Sequence, residues 1–403
     1  MPTTIHHLKD ATVRGKRVLL RAGFDVPITD GVVTDTTRIE AIRESMSFVV
    51  NRGGILILMA HQGRPKNGPE ASFSQKPLVP VLQKLLGVPV HFASDCIGDA
   101  ASSVIAQAQP GEVVLLENLR FHSEEKKNDP SFARALADLA DLYVNDAFPN
   151  CHRAHASMVG VPSLLPSFIG FNLQKEVDAL TRVTSSKDYP MTLIIAGSKM
   201  ETKVPVIRKF LRRGDHILVG GCIANTLIAA RGFDVGSSKY DPEELPLAQE
   251  LMLESEKSDR AEIHVPRDVV VATELSESAE KVDLPVEDIE GDMSIFDIGK
   301  VTIKRYQEII AESKLIVWNG PVGVYEYNRF SHASKRLAES IASATVTGAY
   351  SVIGGGDTID FHHRYQYDLS AYSFVSMGGG AMLEFLASGG ELPALIALER
   401  RAS

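Results

Sequence analysis

Ser351–Thr358 reads SVIGGGDT. The apolar run Tyr350, Val352 and Ile353 stops at three glycines, and an Asp and a Thr follow. Apolar run, glycine turn and polar onset together predict a strand feeding a helix N-terminus. Such an N-terminus leaves backbone N–H groups unpaired, and the helix dipole favours an anion there. Glycine lets the backbone approach a phosphate closely. In this reading Asp357 is placed to hold Mg²⁺, and Thr358 to donate to a phosphate oxygen or to cap the helix. The same residues also read as a plain strand–helix turn capped by Asp357, so the rest of the chain has to decide.

Outward from that stretch, short apolar runs alternate with segments of helical spacing. In the second half the expected strands are 193–196, 217–219, 315–318, 350–353 and 374–376. Helical segments near 204–211, 225–231, 297–313 and 332–344 separate them. In the first half the strands are 17–23, 55–60, 113–117 and 142–145, with helices over 35–51, 77–86 and 131–139. Strand–helix alternation implies a parallel sheet covered on both faces. The expected class is α/β, with two Rossmann-like domains, each a parallel sheet flanked by helices, joined by a hinge helix with a cleft between them. The expected divisions are 1–167, a linking helix over 168–184, 185–385, and a closing segment 386–403.

The chain has 403 residues, 44% hydrophobic and 23% charged, as a globular protein with ample core requires. A net charge of −9 argues against general nucleic-acid binding. Cys96, Cys151 and Cys222 lie far apart, with no CxxC pair, which suits a reducing compartment. The opening residues have no apolar signal core and no apolar run is long enough to span a bilayer, so the expected place is cytoplasmic, without a membrane role.

In this acidic chain, cationic residues recur where the first-half strands end. Arg21 lies near the end of the first. His61 and Arg64 follow the second in AHQGRP, beside Gln62 and Gly63. Arg120 follows the third, and His152, Arg153 and His155 the fourth; Arg38 opens the first helix. Carboxyl ends of strands line the ligand crevice of open α/β sheets. The guanidinium fork binds two oxygens at once. Four such exits point to one anionic pocket, although each residue alone reads as a surface ion pair.

RVLLRAGFDVP, LMAHQGRP, LLENLRFHSEE and YVNDAFPNCHRAHAS resemble the four N-domain signatures of the phosphoglycerate kinase family. IIAGSKMETKV (194–204), VGGCIANTL (219–227), WNGPVGVYE (318–326), SVIGGGDT and FVSMGGGAMLE (374–384) resemble its nucleotide segments, in order and over nearly the whole length. There is no GxxxxGK[ST] loop and no GxGxxG fingerprint. The resemblance implies phosphoryl exchange between ATP/ADP and a carboxylate, with Mg²⁺, in a monomer. It implies that Arg38, Lys203, Gly356 and Gly379 stabilise the transferring group. The acceptor would meet Arg21, Gly23, Asp25, Arg38, His61, Gln62, Gly63, Arg64, Arg120, His152 and Arg153. The nucleotide would meet Gly197, Ser198, Lys199, Lys203, Gly221, Asn319, Glu326, Gly355, Gly356, Asp357 and Thr358, with Asp357 as the metal ligand. Lys199 and Lys203, four apart, are expected on one helical face. Glu124 and Glu125 read as solvated helix charge. The C-terminal segment would return to pack on the N-domain.

Several positions depart from the family's pattern. Gly23 stands where it has Asp, and Asp25 where it has Asn. Gln62, Pro149-Asn150-Cys151, Cys222, the SHAS of 331–334 and Met377 are also unusual. Two acceptors follow: 3-phosphoglycerate itself, or a close 2-hydroxy acid analogue carrying a phosphate or phosphonate, such as 3-phosphonolactate. A nucleotide-binding chain without transfer is a different class, against which Arg38, Lys203 and Asp357 speak. A nicotinamide dehydrogenase is weakened by the missing fingerprint.

Overall fold

The computed structural model describes residues 5–66 and 68–399. Residues 1–4 and 400–403, the ends of the expected first domain and closing segment, lie outside them. The chain divides into two units, Met1–Asp178 with Glu391–Ser403, and Ala179–Gly390.

Unit 1 is built on six parallel strands: β1 (Arg17–Ala22), β2 (Ile55–Met59), β3 (Val90–Phe92), β4 (Val113–Leu115), β5 (Leu142–Asp146) and β6 (Ser167–Ile169), in the order β3-β4-β2-β1-β5-β6. β1 is central. Leu19 pairs with Ile57 on one side and Tyr143 on the other, and Val18 to Ala22 are all buried. A strand covered on both faces reads as a continuous apolar run, which is why VLL stands out in the sequence. β3 and β6 are three residues each, too short for a periodic signal. The helix expected over 35–51 is two, α1 (Thr37–Ala41) and α2 (Arg43–Asn51), broken at Ile42.

The expected linking helix starts later than its sequence suggested. Phe168 lies in β6, and α3 runs Phe171–Ser185, so that the division between the units falls inside it. In unit 1, Leu173 N–H donates to Asp146 Oδ1 at 2.7 Å, so the end of β5 holds the start of α3.

Unit 2 repeats the plan with β7 (Met191–Ile195), β8 (His216–Val219) and β9 (Glu262–His264). A three-stranded antiparallel sheet of β10 (Asp268–Ala272), β11 (Val282–Pro285) and β12 (Ser294–Ile298) follows, then β13 (Leu315–Asn319), β14 (Tyr350–Gly354) and β15 (Phe374–Ser376). The parallel sheet has the order β9-β8-β7-β13-β14-β15. The antiparallel sheet corrects the expectation of a helix from Asp297: Asp297 lies in β12, and the helix is Lys300–Glu312. Trp318 and Phe361 lie edge to face in the core beneath the glycine turn. The helices that matter for function are α4 (Val204–Leu211), α5 (Gly221–Ala230), α6 (His332–Val346), α7 (Gly356–Arg364) and α8 (Gly379–Ser388). In unit 1, α9 (Pro393–Glu399) packs beside β5's exit loop, where Ala394 N–H donates to Cys151 O at 3.1 Å. Among the described residues no single helix is long and apolar enough to cross a membrane.

Candidate active site

In unit 1 the cations come from the carboxyl ends of β1, β2, β4 and β5. The β2 exit is held open by Gly63, whose φ is +58°; a Cβ there would stand 2.3 Å from the Phe73 ring. Asn118, buried, donates to Gln62 O at 2.8 Å and Phe73 O at 2.9 Å, tying the β4 exit to the β2 exit. Gln62 closes the layer by accepting from Val26 N–H and donating to Val26 O.

Within this frame Arg120 is 7% exposed and donates to Gly63 O at 2.6 Å, while its Nε has no partner. Burial, then Arg153 and Arg21, lower its pKa to about 10. Arg153 lies half-buried, its Nε 3.3 Å from His152 Nε2, and its pKa is lowered by burial and by Arg64. His152 is brought down to about 4 by burial and Arg153, and its Nδ1 is also unpartnered. A buried donor without an acceptor, among cations that repel one another, is a place an anion would stabilise.

Arg21 is the exception. It is 1% exposed and lies beneath the others, donating from Nε to Ser157 Oγ at 3.0 Å, to Ala22 O, and to His61 Nδ1 at 2.9 Å. Three of its five N–H groups are thus held inside the protein. His61 is buried and its pKa is lowered to about 3 by burial. Its Nε2 lies 3.7 Å from Asp25 Oδ2, and Gly63 N–H donates to Asp25 Oδ1 at 2.9 Å. Burial alone would raise the Asp25 carboxyl, but the contacts with His61, the Gly63 N–H and Arg38 outweigh it, and Asp25 stays ionised. Arg38, on α1, donates to Asp25 O at 2.5 Å. Gly23 is buried; a Cβ on it would lie 3.7 Å from Pro149 Cδ and 3.8 Å from Ala147 Cα. Gly23 and Pro149, far apart in sequence, are thus neighbours.

Glu125 is a second correction. Glu124 is exposed, but Glu125 is 1% exposed. Ser157 donates to it from both N–H, at 2.9 Å, and Oγ, at 2.5 Å.

In unit 2 the site is made of glycine turns at the ends of β7, β8, β13, β14 and β15. Gly355 has φ +105°, and a Cβ there would meet Asn319 Nδ2 at 2.8 Å. Asn319, 2% exposed, donates to Gly354 O at 2.8 Å and accepts from Lys203 Nζ at 2.5 Å. Lys203 immediately precedes α4, and burial lowers its pKa to about 8 against the pull of Asp357. The N-termini of α7 and α8 converge: a Cβ on Gly379 would lie 3.1 Å from Gly355 Cα and 3.8 Å from Gly356 N. Gly356 has open space in front of it. Two helix N-termini and one ammonium make an anion cradle.

Three expectations change here. Residues 199–203 lie outside any helix, so Lys199 and Lys203 do not share a helical face; Lys199 is exposed, as is Ser198. Thr358 is fully buried and donates to Gly354 O at 3.0 Å while accepting from Gly320 N–H at 2.9 Å. Its hydroxyl locks the turn instead of facing a phosphate. Asp357 makes no cap bond and is exposed. A cavity of about 470 Å³ opens beside the cradle, lined by Gly197, Ser198, Gly221, Cys222, Glu326 and Asp357 among others. An exposed carboxylate beside backbone N–H groups fits Mg²⁺, which takes one or two carboxylates and fills its other positions with phosphate and water oxygens. Of the departures, Ser334 accepts from Val322 N–H at 3.0 Å, holding α6 to the wall of this cavity. Nothing in the structure explains Met377.

Two other groups of metal-ligand type occur, Asp95–Cys96–His122 and His216–Glu262–His264. Each is closed by a hydrogen bond within the protein, His122 to Asp95 at 2.7 Å and His216 to His264 at 3.0 Å.

The family model for phosphoglycerate kinase matches residues 8–389. The chain is 40% identical to the phosphoglycerate kinase of Moorella thermoacetica over 395 residues, 98% of this chain and 99% of that one. It is 41% identical to that of Mesorhizobium japonicum, over 96% of this chain and 97% of the relative. Among solved structures it resembles phosphoglycerate kinase from Coxiella burnetii, with a TM-score of 0.87 and 34% identity over 99% of this chain and all of that one. It also resembles the enzyme from Pyrococcus horikoshii, with a TM-score of 0.84 and 33% identity over 98% of each chain. Cations at the strand ends of one unit, a glycine cradle in the other and full-length similarity lead to one assignment: the chain belongs to the phosphoglycerate kinase family and is an ATP-dependent phosphotransferase of that type.

Proposed function

We propose that the chain moves a phosphoryl group between ATP/ADP and the carboxylate of 3-phosphoglycerate, giving an acyl phosphate. The observation that carries the acceptor half is Arg120, a buried guanidinium with an unpartnered Nε among other cations. With His61, Arg64 and Arg153 it would hold the acceptor's distal phosphate. A carboxylate has a reference pKa of roughly 3.5–4, so the nucleophile is already ionised and no general base is needed. The task is to align two anions and to stabilise the charge that passes between them. Arg38 and Lys203 would do this with side chains, and Gly356 and Gly379 with backbone donors. Asp357 would hold Mg²⁺, which when bound neutralises phosphate charge. Gly221 would meet the adenine, and Asn319 and Glu326 the rest of the nucleotide. Because the two sets lie on different units, transfer needs a state in which their ligands meet and water is excluded.

The test is an ATP-consumption assay with 3-phosphoglycerate and Mg²⁺, with hydroxylamine trapping the acyl phosphate. A hydroxamate that needs all three components is expected. Its absence, with nucleotide still bound, would sink the proposal.

A second reading keeps the chemistry and changes the acid. It is favoured by Gly23, which brings no carboxylate to position 23, and by Asp25, whose ionised side chain faces His61. 3-Phosphonolactate keeps the hydroxyl and carboxyl groups but lacks the bridging oxygen, so with its phosphorus group held by the same cations those two groups would meet Gly23 and Asp25 at a different place. A kcat/KM preference for that acid of about tenfold, a difference of roughly 1.4 kcal/mol, would establish it. Equal rates, or a preference for 3-phosphoglycerate, would remove it.

A further inference from the structure

We propose that Glu125 is a positioning residue for the acceptor site, acting through Ser157 and Arg21 to hold His61 in the tautomer that carries its proton on Nε2. The proposal rests on the reading of unit 1 as the acceptor site.

The direction of every bond in this chain is forced. A serine hydroxyl has one proton, and a guanidinium has donors only. Ser157 Oγ lies 2.5 Å from Glu125 Oε1, so its proton goes to Glu125. Its lone pairs are then left for Arg21 Nε–H, which donates to it at 3.0 Å. Arg21 has donors only, so its 2.9 Å bond to His61 makes Nδ1 the acceptor and leaves the ring proton on Nε2. That Nε2 is the atom 3.7 Å from Asp25 Oδ2, on the side where the acceptor would be read.

The chain is also an electrostatic arrangement. Arg21 is fully enclosed, and Glu125 is the strongest of the charges that favour its cationic form. Around His61 stand Arg21, Arg120 and Asp25. His155 Nδ1 also lies 3.8 Å from Glu125 Oε1. Tyr143 OH donates to Ser157 O at 2.8 Å, fixing the backbone that presents the hydroxyl. Without Glu125's charge the Ser157 proton is free to turn toward Arg21, the Arg21–Ser157 bond competes with it, and the fork that selects the His61 tautomer loses its anchor.

The variants are Glu125→Gln and Ser157→Ala. Glu125→Gln removes the charge at nearly constant shape, and its amide can donate to Ser157 Oγ in competition with Arg21 Nε–H; the Ala removes the bridging hydroxyl alone. Long-range ¹H–¹⁵N imidazole spectra of the full-length ¹⁵N-labelled protein read the tautomer, with His61→Asn assigning the resonance. Wild type should show a protonated Nε2 and a bare Nδ1 at His61. Both variants should show exchange between tautomers, and an acceptor KM raised about tenfold, with the nucleotide KM unchanged, as for one weakened charge-assisted hydrogen bond. An unchanged tautomer in both variants overturns the proposal, whatever happens to KM. A tautomer shift with unchanged acceptor KM overturns the positioning role. If Glu125→Gln does not fold, Ser157→Ala carries the same two readouts. A wild type that holds the tautomer but transfers nothing to any acid would remove the function proposed above, a different result from losing the relay.

Discussion

Arg120 in unit 1 and Lys203 in unit 2 are both largely buried cations held below their ordinary pKa, but for different reasons. Arg120 is lowered by burial and then by the cations around it, Arg153 and Arg21. Lys203 is lowered by burial alone, with Asp357 working the other way, and its ammonium is bonded to Asn319. Unit 1 therefore gathers side-chain charge that repels itself until an anion arrives. Unit 2 uses few charges and relies on glycine backbone at the N-termini of α7 and α8. The difference predicts redundancy in the first site and fragility in the second.

The largest effect is expected where a single group has no substitute. Lys203→Met should lower kcat by about 10²–10³-fold, the size of losing one well-placed transition-state donor. Nucleotide affinity, measured by calorimetry, should change far less. A loss seen only in affinity would break the contrast between the units. Arg120→Ala should raise the acceptor KM by roughly ten- to hundredfold, because one lost bond to a charged group costs about 1.5–3 kcal/mol. Arg64, Arg153 and His61 remain, so activity should persist at high acceptor concentration, with the nucleotide KM untouched. Gly355→Ala tests the backbone side. A side chain at φ +105° within 2.8 Å of Asn319 should cost on the order of 1–3 kcal/mol. ADP binding should weaken about tenfold while acceptor binding is unaffected.

The smallest effect sharpens the electrostatic side. His61 is neutral when folded, with its pKa lowered to about 3, below the ordinary value of 6.5. A histidine whose folded pKa is lowered contributes stability that is complete above about pH 6.5 and lost as pH falls toward 3. The slope cannot exceed about 1.4 kcal/mol per pH unit for one group. Urea midpoints between pH 7 and 5 should fall less in His61→Asn than in wild type. Equal slopes would show that His61 is not held neutral by its burial.

Much of the architecture was readable from local grammar. Parallel strands buried on both faces leave apolar runs such as VLL and ILILM, and the strand–glycine–helix turn at Ser351–Thr358 shows its chemistry in eight residues. Cations after strands marked unit 1's site for the same reason. The three-residue strands β3 and β9 left no pattern, although β4 and β15, equally short, showed as apolar runs. The antiparallel sheet was lost because its strands abut a genuine helix at Lys300. Glu125 was read as solvated because SEEKK has no apolar partner in sequence; the segment 156–160 that covers it arrives from thirty residues away.

By itself, then, the sequence determined two parallel α/β units and the family, because each depends on residue type and on neighbours within one turn or strand. Tertiary structure alone decided which groups are buried and which stand open. Arg21 points inward and Arg64 outward, Thr358 locks a turn while Asp357 stands exposed, Pro149 lies beside Gly23, and Glu125 is buried against Ser157. Burial and hydrogen-bond direction are set by which strand ends are brought side by side, and that is a property of the sheet order, not of any one stretch of chain.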